Sequence, residues 1–188
     1  MARTKIGVGL RFKQEPALGG VNVMGVDLSL RSTGVIILSG DGGVVFRGSN
    51  GYDLKKTATP IEKTERLIDV ADWVSDVYSK FDVTHVAVEE KVVSTKRPGA
   101  HLDLAELHGV IRVNMWEIHH VGMFRYGVSA LRKSVLGKGY KTKKETHKVL
   151  ISRMFEDGVC CSGWTKDEID AYLVARYQLY IVACGEKK

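Results

Sequence analysis

Carboxylates stand in three places where the surrounding pattern calls for apolar residues. Asp27 lies within Met24-Gly-Val-Asp-Leu28, near the end of a short apolar run. Burying a lone carboxylate is costly, so such a residue must be paired, hydrogen-bonded or bound to a metal. The competing reading is a strand-end aspartate that caps the next turn through Ser29 and Arg31. Glu89 closes the run Val86-Ala-Val88, and Glu90 follows it. Strand side chains alternate between faces, so only one of these two can share the face of a site. The alternative is an exposed strand end with both acids solvated. Asp167 and Asp170 lie in Thr165-Lys-Asp-Glu-Ile-Asp-Ala171, a spacing that puts both on one face of a helix. Thr165 and Glu168 also form a capping-box pattern, and acids in a first turn favour the helix dipole. That accounts for Glu168 and adequately for Asp167. It accounts less well for Asp170, which is deeper in the helix beside Ile169, Ala171 and Leu173.

Together these acids suit a metal site with oxygen donors. Such donors select hard cations, Mg²⁺ or Mn²⁺. Two such ions about 4 Å apart activate water and stabilise the leaving oxygen in phosphodiester cleavage. A nuclease also requires a basic track beside such an acidic pocket. The net charge is +6 and the pI about 9.2. Between Arg125 and Arg153 stand Arg132, Lys133, Lys138, Lys141, Lys143, Lys144 and Lys148, with Glu145 the sole acid. Such a segment suits a phosphate backbone, which gains affinity by releasing counterions. A solvated basic helix is the alternative.

The elements that must position these residues follow from periodicity. Residues 1–20 form an extension punctuated by glycine and Pro16, and residues 21–188 form the domain. Val21–Leu28 is a short apolar run suited to a buried strand. Thr33–Ser39 and Val44–Arg47 flank Gly40-Asp-Gly-Gly43, whose glycines suit a hairpin turn. Pro60–Lys80 is helical, with Pro60 in a first turn and Ile61, Leu67, Ile68, Ala71, Val74 and Tyr78 at helical spacing. Val83–Glu89 is a valine-rich strand. Leu102–Ile118 is a helix striped by Leu104, Leu107, Ile111 and Met115, and Met123–Val128 is a fifth strand. Two helices follow, near Thr142–Phe155 and Thr165–Cys184. The order βββαβαβαα implies an α/β fold with a mixed five-stranded sheet and helices on its faces.

Composition fits this reading. Apolar content of 44% and charged content of 27% are ordinary for a globular chain of 188 residues. No apolar run approaches the roughly 20 residues a membrane helix needs, and the N-terminus lacks the apolar core of a signal peptide. Cys160, Cys161 and Cys184 contain no CxxC pair, which disfavours a zinc site or disulfide framework. Reduced thiols in a cytoplasmic protein are the expectation. His119, His120 and His147 are expected in surface or capping roles, and Trp73, Trp116 and Trp164 in or against the core.

Three segments resemble the RuvC-type Holliday junction resolvases, of the RNase H-like nuclease superfamily. They are Gly25-Val-Asp-Leu-Ser-Leu-Arg-Ser-Thr-Gly34, Val86-Ala-Val-Glu-Glu90 and Asp167-Glu-Ile-Asp-Ala-Tyr-Leu-Val-Ala175. The likeness spans about Val21 to Ala183. It implies an RNase H-like fold, a homodimer on four-way or other branched DNA, and roles in DNA recombination and repair. By the same match Asp27, Glu89, Asp167 and Asp170 are catalytic metal ligands. Arg132-Lys-Ser-Val-Leu-Gly-Lys-Gly139 resembles the family's basic segment, which gives Arg132 and Lys143 phosphate contacts. Lys133, Lys138, Lys141 and Lys144 would bind the DNA backbone. A two-fold dimer meets the symmetry of a four-way junction. Leu102–Ile118 is the candidate interface, although its stripe fits ordinary core equally.

The chain also departs from the family. Leu28-Ser29 replaces the usual Pro-Gly, and Glu90-Lys-Val-Val93 carries no aromatic wedge, which leaves Val92 as the apolar side chain for opening a base step. Three other readings stay open: a nuclease of the same fold acting on RNA–DNA hybrids or other branched DNA, an actin-like nucleotide-binding protein, and a non-catalytic DNA-binding module. Length argues against the second, and the presence of every acid argues against the third.

Overall fold

The computed structural model of the chain describes residues 18–53, 57–90, 98–137 and 142–185, without the side chains of 98–101 and 135. Five strands and five helices are found among them. They are β1 (Asn22–Asp27), β2 (Ser32–Ser39), β3 (Val44–Gly51), α1 (Pro60–Lys80), β4 (His85–Glu90), α2 (Pro98–His119), β5 (Met123–Gly127), α3 (Val128–Leu136), α4 (Lys143–Glu156) and α5 (Lys166–Ala183). The sheet order is β3-β2-β1-β4-β5. β1, β2 and β3 pair antiparallel, while β4 joins β1, and β5 joins β4, in parallel. This is the mixed α/β sheet expected from the sequence.

Strand alternation divides the sheet into two apolar faces. Val23, Ile36, Leu38 and Ala87 pack with α5. Met24, Val26, Val35, Ile37, Val86 and Val88 pack with α1 and α2. α5 lies across the first face and is buried on nearly every side, so its apolar residues run all round rather than in a stripe. Glycine permits its close approach. A β-carbon at Gly25 would come to 2.8 Å from Ala175 Cα, and one at Gly34 to 2.9 Å from the Glu168 nitrogen. With no side chain at either position, the helix seats directly on the backbones of β1 and β2.

Several expectations need correction. α3 is a helix of nine residues that the sequence pattern did not reveal. It grows straight out of β5 with Gly127 at its N-cap and no side-chain cap, so the usual start signal is missing. On α1 the buried residues are Leu67, Val70, Ala71, Val74, Ser75 and Val77, whereas Ile61 and Ile68 face solvent. Trp73 and Trp164 pack against the core as expected, but Trp116 is exposed. The α2 stripe is core: Leu107, Ile111 and Met115 are fully buried. Leu18, counted with the extension, packs on the core and donates to the Gly40 carbonyl, while residues 1–17 lie outside the described residues. No described helix is long and apolar enough to cross a membrane.

Candidate active site

The site forms where the C-terminal ends of β1 and β4 meet the N-terminus of α5. Asp27 is the last residue of β1 and is 2% exposed. The turn that follows carries its own bonds. Thr33 Oγ1 donates to the Ser29 carbonyl at 3.0 Å, the Ser29 amide donates back to Thr33 Oγ1 at 3.3 Å, and an Arg66 guanidinium nitrogen donates to the Leu30 carbonyl. β1 and β4 run parallel with Val26 beside Val88, so Asp27 and Glu89 are the next neighbours along that register. Both follow the face of Val23 and Ala87, the face that α5 covers. Glu89 is half-buried. Glu90 is exposed and pairs with Arg125. Alternation thus sends Glu89 and Glu90 to different environments, as the sequence pattern requires.

α5 brings the other two carboxylates. Its start is fixed by the predicted capping box: Thr165 Oγ1 accepts from the Glu168 amide at 3.2 Å, and the Glu168 carboxylate accepts from the Thr165 amide at 2.7 Å. Glu168 is buried and also pairs with Arg47 of β3 at 3.2 Å. Arg47 in turn lies over the Trp164 ring. Glu168 therefore ties the first turn of α5 to the sheet, while Asp167, half-buried, and Asp170, 6% exposed, are left to the site.

α4 closes the site from the side. A second capping box, Thr142 with Glu145, fixes its first turn. From that turn Lys143 extends its ammonium to Asp170 Oδ2. Burial alone would depress the Lys143 pKa, but the Asp170 hydrogen bond and the fields of Asp170, Asp27 and Asp167 outweigh it and raise the net value. One cation therefore feels three of the four predicted carboxylates. One turn further on, His147 is buried with Nε2 2.8 Å from Asp170 Oδ1. Its expected surface or capping role is wrong. Helical spacing held the signal, because position i+4 from Lys143 shares its face.

Among the described residues no three His, Cys, Asp or Glu side chains converge closely enough to grip a metal ion as they stand. The Lys143 ammonium is held against Asp170. The donor chemistry fits a hard divalent cation: acidic oxygens, two of them on nearly inaccessible side chains, around a site that draws in a cation. Arg132 on α3 is half-buried, and Lys133 and Lys144 are exposed. Arg132 and Lys133 lie on α3, and Lys144 follows Lys143 in the first turn of α4. Lys138, Lys141 and the Val92 segment lie outside the described residues.

A mixed five-stranded sheet with helices on both faces, and acids gathered on neighbouring strand ends beneath a buried helix, defines the RNase H-like nuclease class. The comparisons narrow this further. The sequence profile described as "Crossover junction endodeoxyribonuclease RuvC" matches residues 23–157. A crossover junction endodeoxyribonuclease RuvC of Ehrlichia ruminantium is 27% identical over 168 residues, covering 86% of this chain and 98% of that protein. One from Rhodopseudomonas palustris is 27% identical over 138 residues, covering 73% and 76%. The structure of T. thermophilus RuvC in complex with a Holliday junction substrate superposes with a TM-score of 0.70 at 16% identity, over 88% of this chain and 96% of that one. A yeast mitochondrial Holliday junction resolvase gives 0.55 at 16% identity, covering 90% and 85%. The chain belongs to the RuvC family of crossover junction endodeoxyribonucleases.

Proposed function

We propose that Asp27, Glu89, Asp167 and Asp170 form the metal centre of a junction-resolving endonuclease that hydrolyses DNA phosphodiesters with two Mg²⁺ or Mn²⁺ ions. The observation that carries this reading is the ion pair of Lys143 with Asp170, where the fields of Asp27 and Asp167 also act on the ammonium. When bound, such ions act as Lewis acids on the phosphoryl group and the attacking water. The protein groups do the remaining work. The four carboxylates hold the ions and offset their charge. Lys143, with a side chain 52% exposed, reaches out from its carboxylate to a phosphate oxygen. Arg132 adds a second positive group, and Lys133 and Lys144 neutralise neighbouring phosphates without reading sequence.

The substrate we assign is a four-way junction, and the acting form is a two-fold dimer. α2 supports the dimer. Val113 and Trp116 are 55% and 59% exposed on its outer face, beside a hollow of about 440 Å³ lined also by Arg112, Val121 and Met123. An aromatic anchor next to such a hollow is the usual centre of an interface. A second copy placed by a two-fold axis would bring two active sites to two symmetric scissile phosphates.

Cleavage of labelled four-way junction, fork, linear duplex and RNA–DNA hybrid tests the assignment. Paired nicks in opposing junction arms are expected with Mg²⁺. Cutting of the hybrid alone would keep the site and discard the substrate.

A further inference from the structure

Asp170 has both carboxylate oxygens engaged from one face of α4. His147 Nε2 lies 2.8 Å from Oδ1, and Lys143 holds Oδ2. An ionised carboxylate only accepts hydrogen bonds, so the imidazole donates. The two partners differ in freedom. The His147 side chain is 10% exposed, whereas that of Lys143 is 52% exposed on a flexible four-carbon stem. A cation entering the site must compete for an oxygen of Asp170, and the mobile, hydrated ammonium is displaced more easily than an enclosed ring.

We propose that His147 is a positioning residue: its hydrogen bond fixes Asp170 Oδ1 and so aims Oδ2, the oxygen Lys143 releases, at the divalent ion. This rests on Asp170 being a metal ligand, as assigned above. Hydrogen-bonded partners behind a ligating carboxylate hold its orientation, and their loss weakens metal binding about 10–100-fold. Lys143 then has two stations, Asp170 in the metal-free protein and phosphate in the loaded complex. A histidine that merely fills space would affect stability and leave metal affinity unchanged.

The test is Mn²⁺ binding to the full chain without DNA, followed by the electron paramagnetic resonance of free Mn²⁺. Wild type, His147→Ala, His147→Gln and Asp170→Asn are compared. His147→Ala is expected to weaken Mn²⁺ binding about 10–100-fold. His147→Gln, whose amide can still donate, is expected to recover most of it. Equal affinity in wild type and His147→Ala overturns the proposal, and so does a loss that glutamine does not rescue. Absence of Mn²⁺ binding by wild type would instead overturn the metal-site reading beneath it. A wild-type measurement stands beside these in case His147→Ala does not fold. Long-range ¹H–¹⁵N spectra should show His147 protonated at Nε2 and its resonance shifting as Mg²⁺ is added. A ring protonated only at Nδ1, or one unmoved by saturating Mg²⁺, overturns the proposal.

Discussion

Gly34 on β2 and Asp167 on α5 meet backbone to backbone: a β-carbon at Gly34 would overlap the Asp167 carbonyl and stand 2.9 Å from the next amide nitrogen. The first turn of α5 can therefore sit on the sheet only if residue 34 has no side chain. Gly34→Ala is expected to push that turn outward. Overpacking of this kind costs about 1–3 kcal/mol, and each kcal/mol lowers the melting temperature about 2–4 °C at this chain length. Cleavage should fall further than stability, because Asp167 moves with the turn. Thermal melting and junction cleavage of one preparation check both effects.

The acids of α5 should separate by role. Glu168 caps Thr165 and pairs with Arg47, so Glu168→Gln keeps an acceptor for the cap and loses only charge. Expected are a stability loss of about 0–1 kcal/mol, the usual worth of a partly exposed ion pair, and retained cleavage. Asp167→Asn is expected to abolish cleavage in a folded protein. Equal cleavage losses in the two variants would contradict this division.

The sequence made this division partly readable. Alternation along Val86–Glu90 allowed only one of Glu89 and Glu90 at the site, the family resemblance chose Glu89, and the Thr165–Glu168 capping pattern separated Glu168 from Asp170. Strands and long helices were legible because their apolar periods are strong. α3 was not, because Gly127 offers no cap and the helix spans few residues. His147 was missed for another reason. The i+4 spacing put it on the face of Lys143, but its burial against Asp170 comes from the packing of α4 on α5. Trp116 and Ile61 show the same limit from the apolar side: residue type does not tell which apolar groups face solvent.

Tyr172 provides a pH-dependent prediction. Its ring is 2% exposed and its hydroxyl has no hydrogen-bond partner among the described residues. Burial, with Arg176 opposing and Asp157 and Cys161 adding to it, pushes its pKa up to about 12 from the ordinary tyrosine value of 10.0. A group whose folded pKa is raised leaves stability intact below its unfolded pKa and removes it as pH rises through the folded one. Wild type should thus lose about 2–3 kcal/mol through Tyr172 between roughly pH 10 and 12, at 1.36 kcal/mol per pKa unit. Tyr172→Phe should lack this component and be at least as stable at neutral pH. Urea denaturation across that range, comparing the two proteins, reads the difference.

The outer face of α2 predicts assembly. Trp116→Glu places a charge in the proposed interface and, at an exposed position, leaves the monomer fold intact. Sedimentation should show monomer for the variant and dimer for wild type. Paired nicking should then fall to single nicks. A wild-type monomer that resolves junctions would refute the dimer.

Lys144 predicts salt dependence. As a backbone contact it should, when changed to Ala, reduce the slope of log K against log salt by about 0.9. The weakening should be similar on every DNA sequence. Titrations of labelled junction from low to physiological salt measure it.

The most direct measurement of the metal-centre assignment is junction binding and cleavage by Asp27→Asn beside wild type in Mg²⁺. Asp27 ends β1 and is 2% exposed, so the substitution removes one charge from the buried carboxylate group with almost no change in volume. The predicted result is junction binding retained and cleavage lost. Cleavage at the wild-type rate by Asp27→Asn would contradict the assignment and move the catalytic centre away from the end of β1.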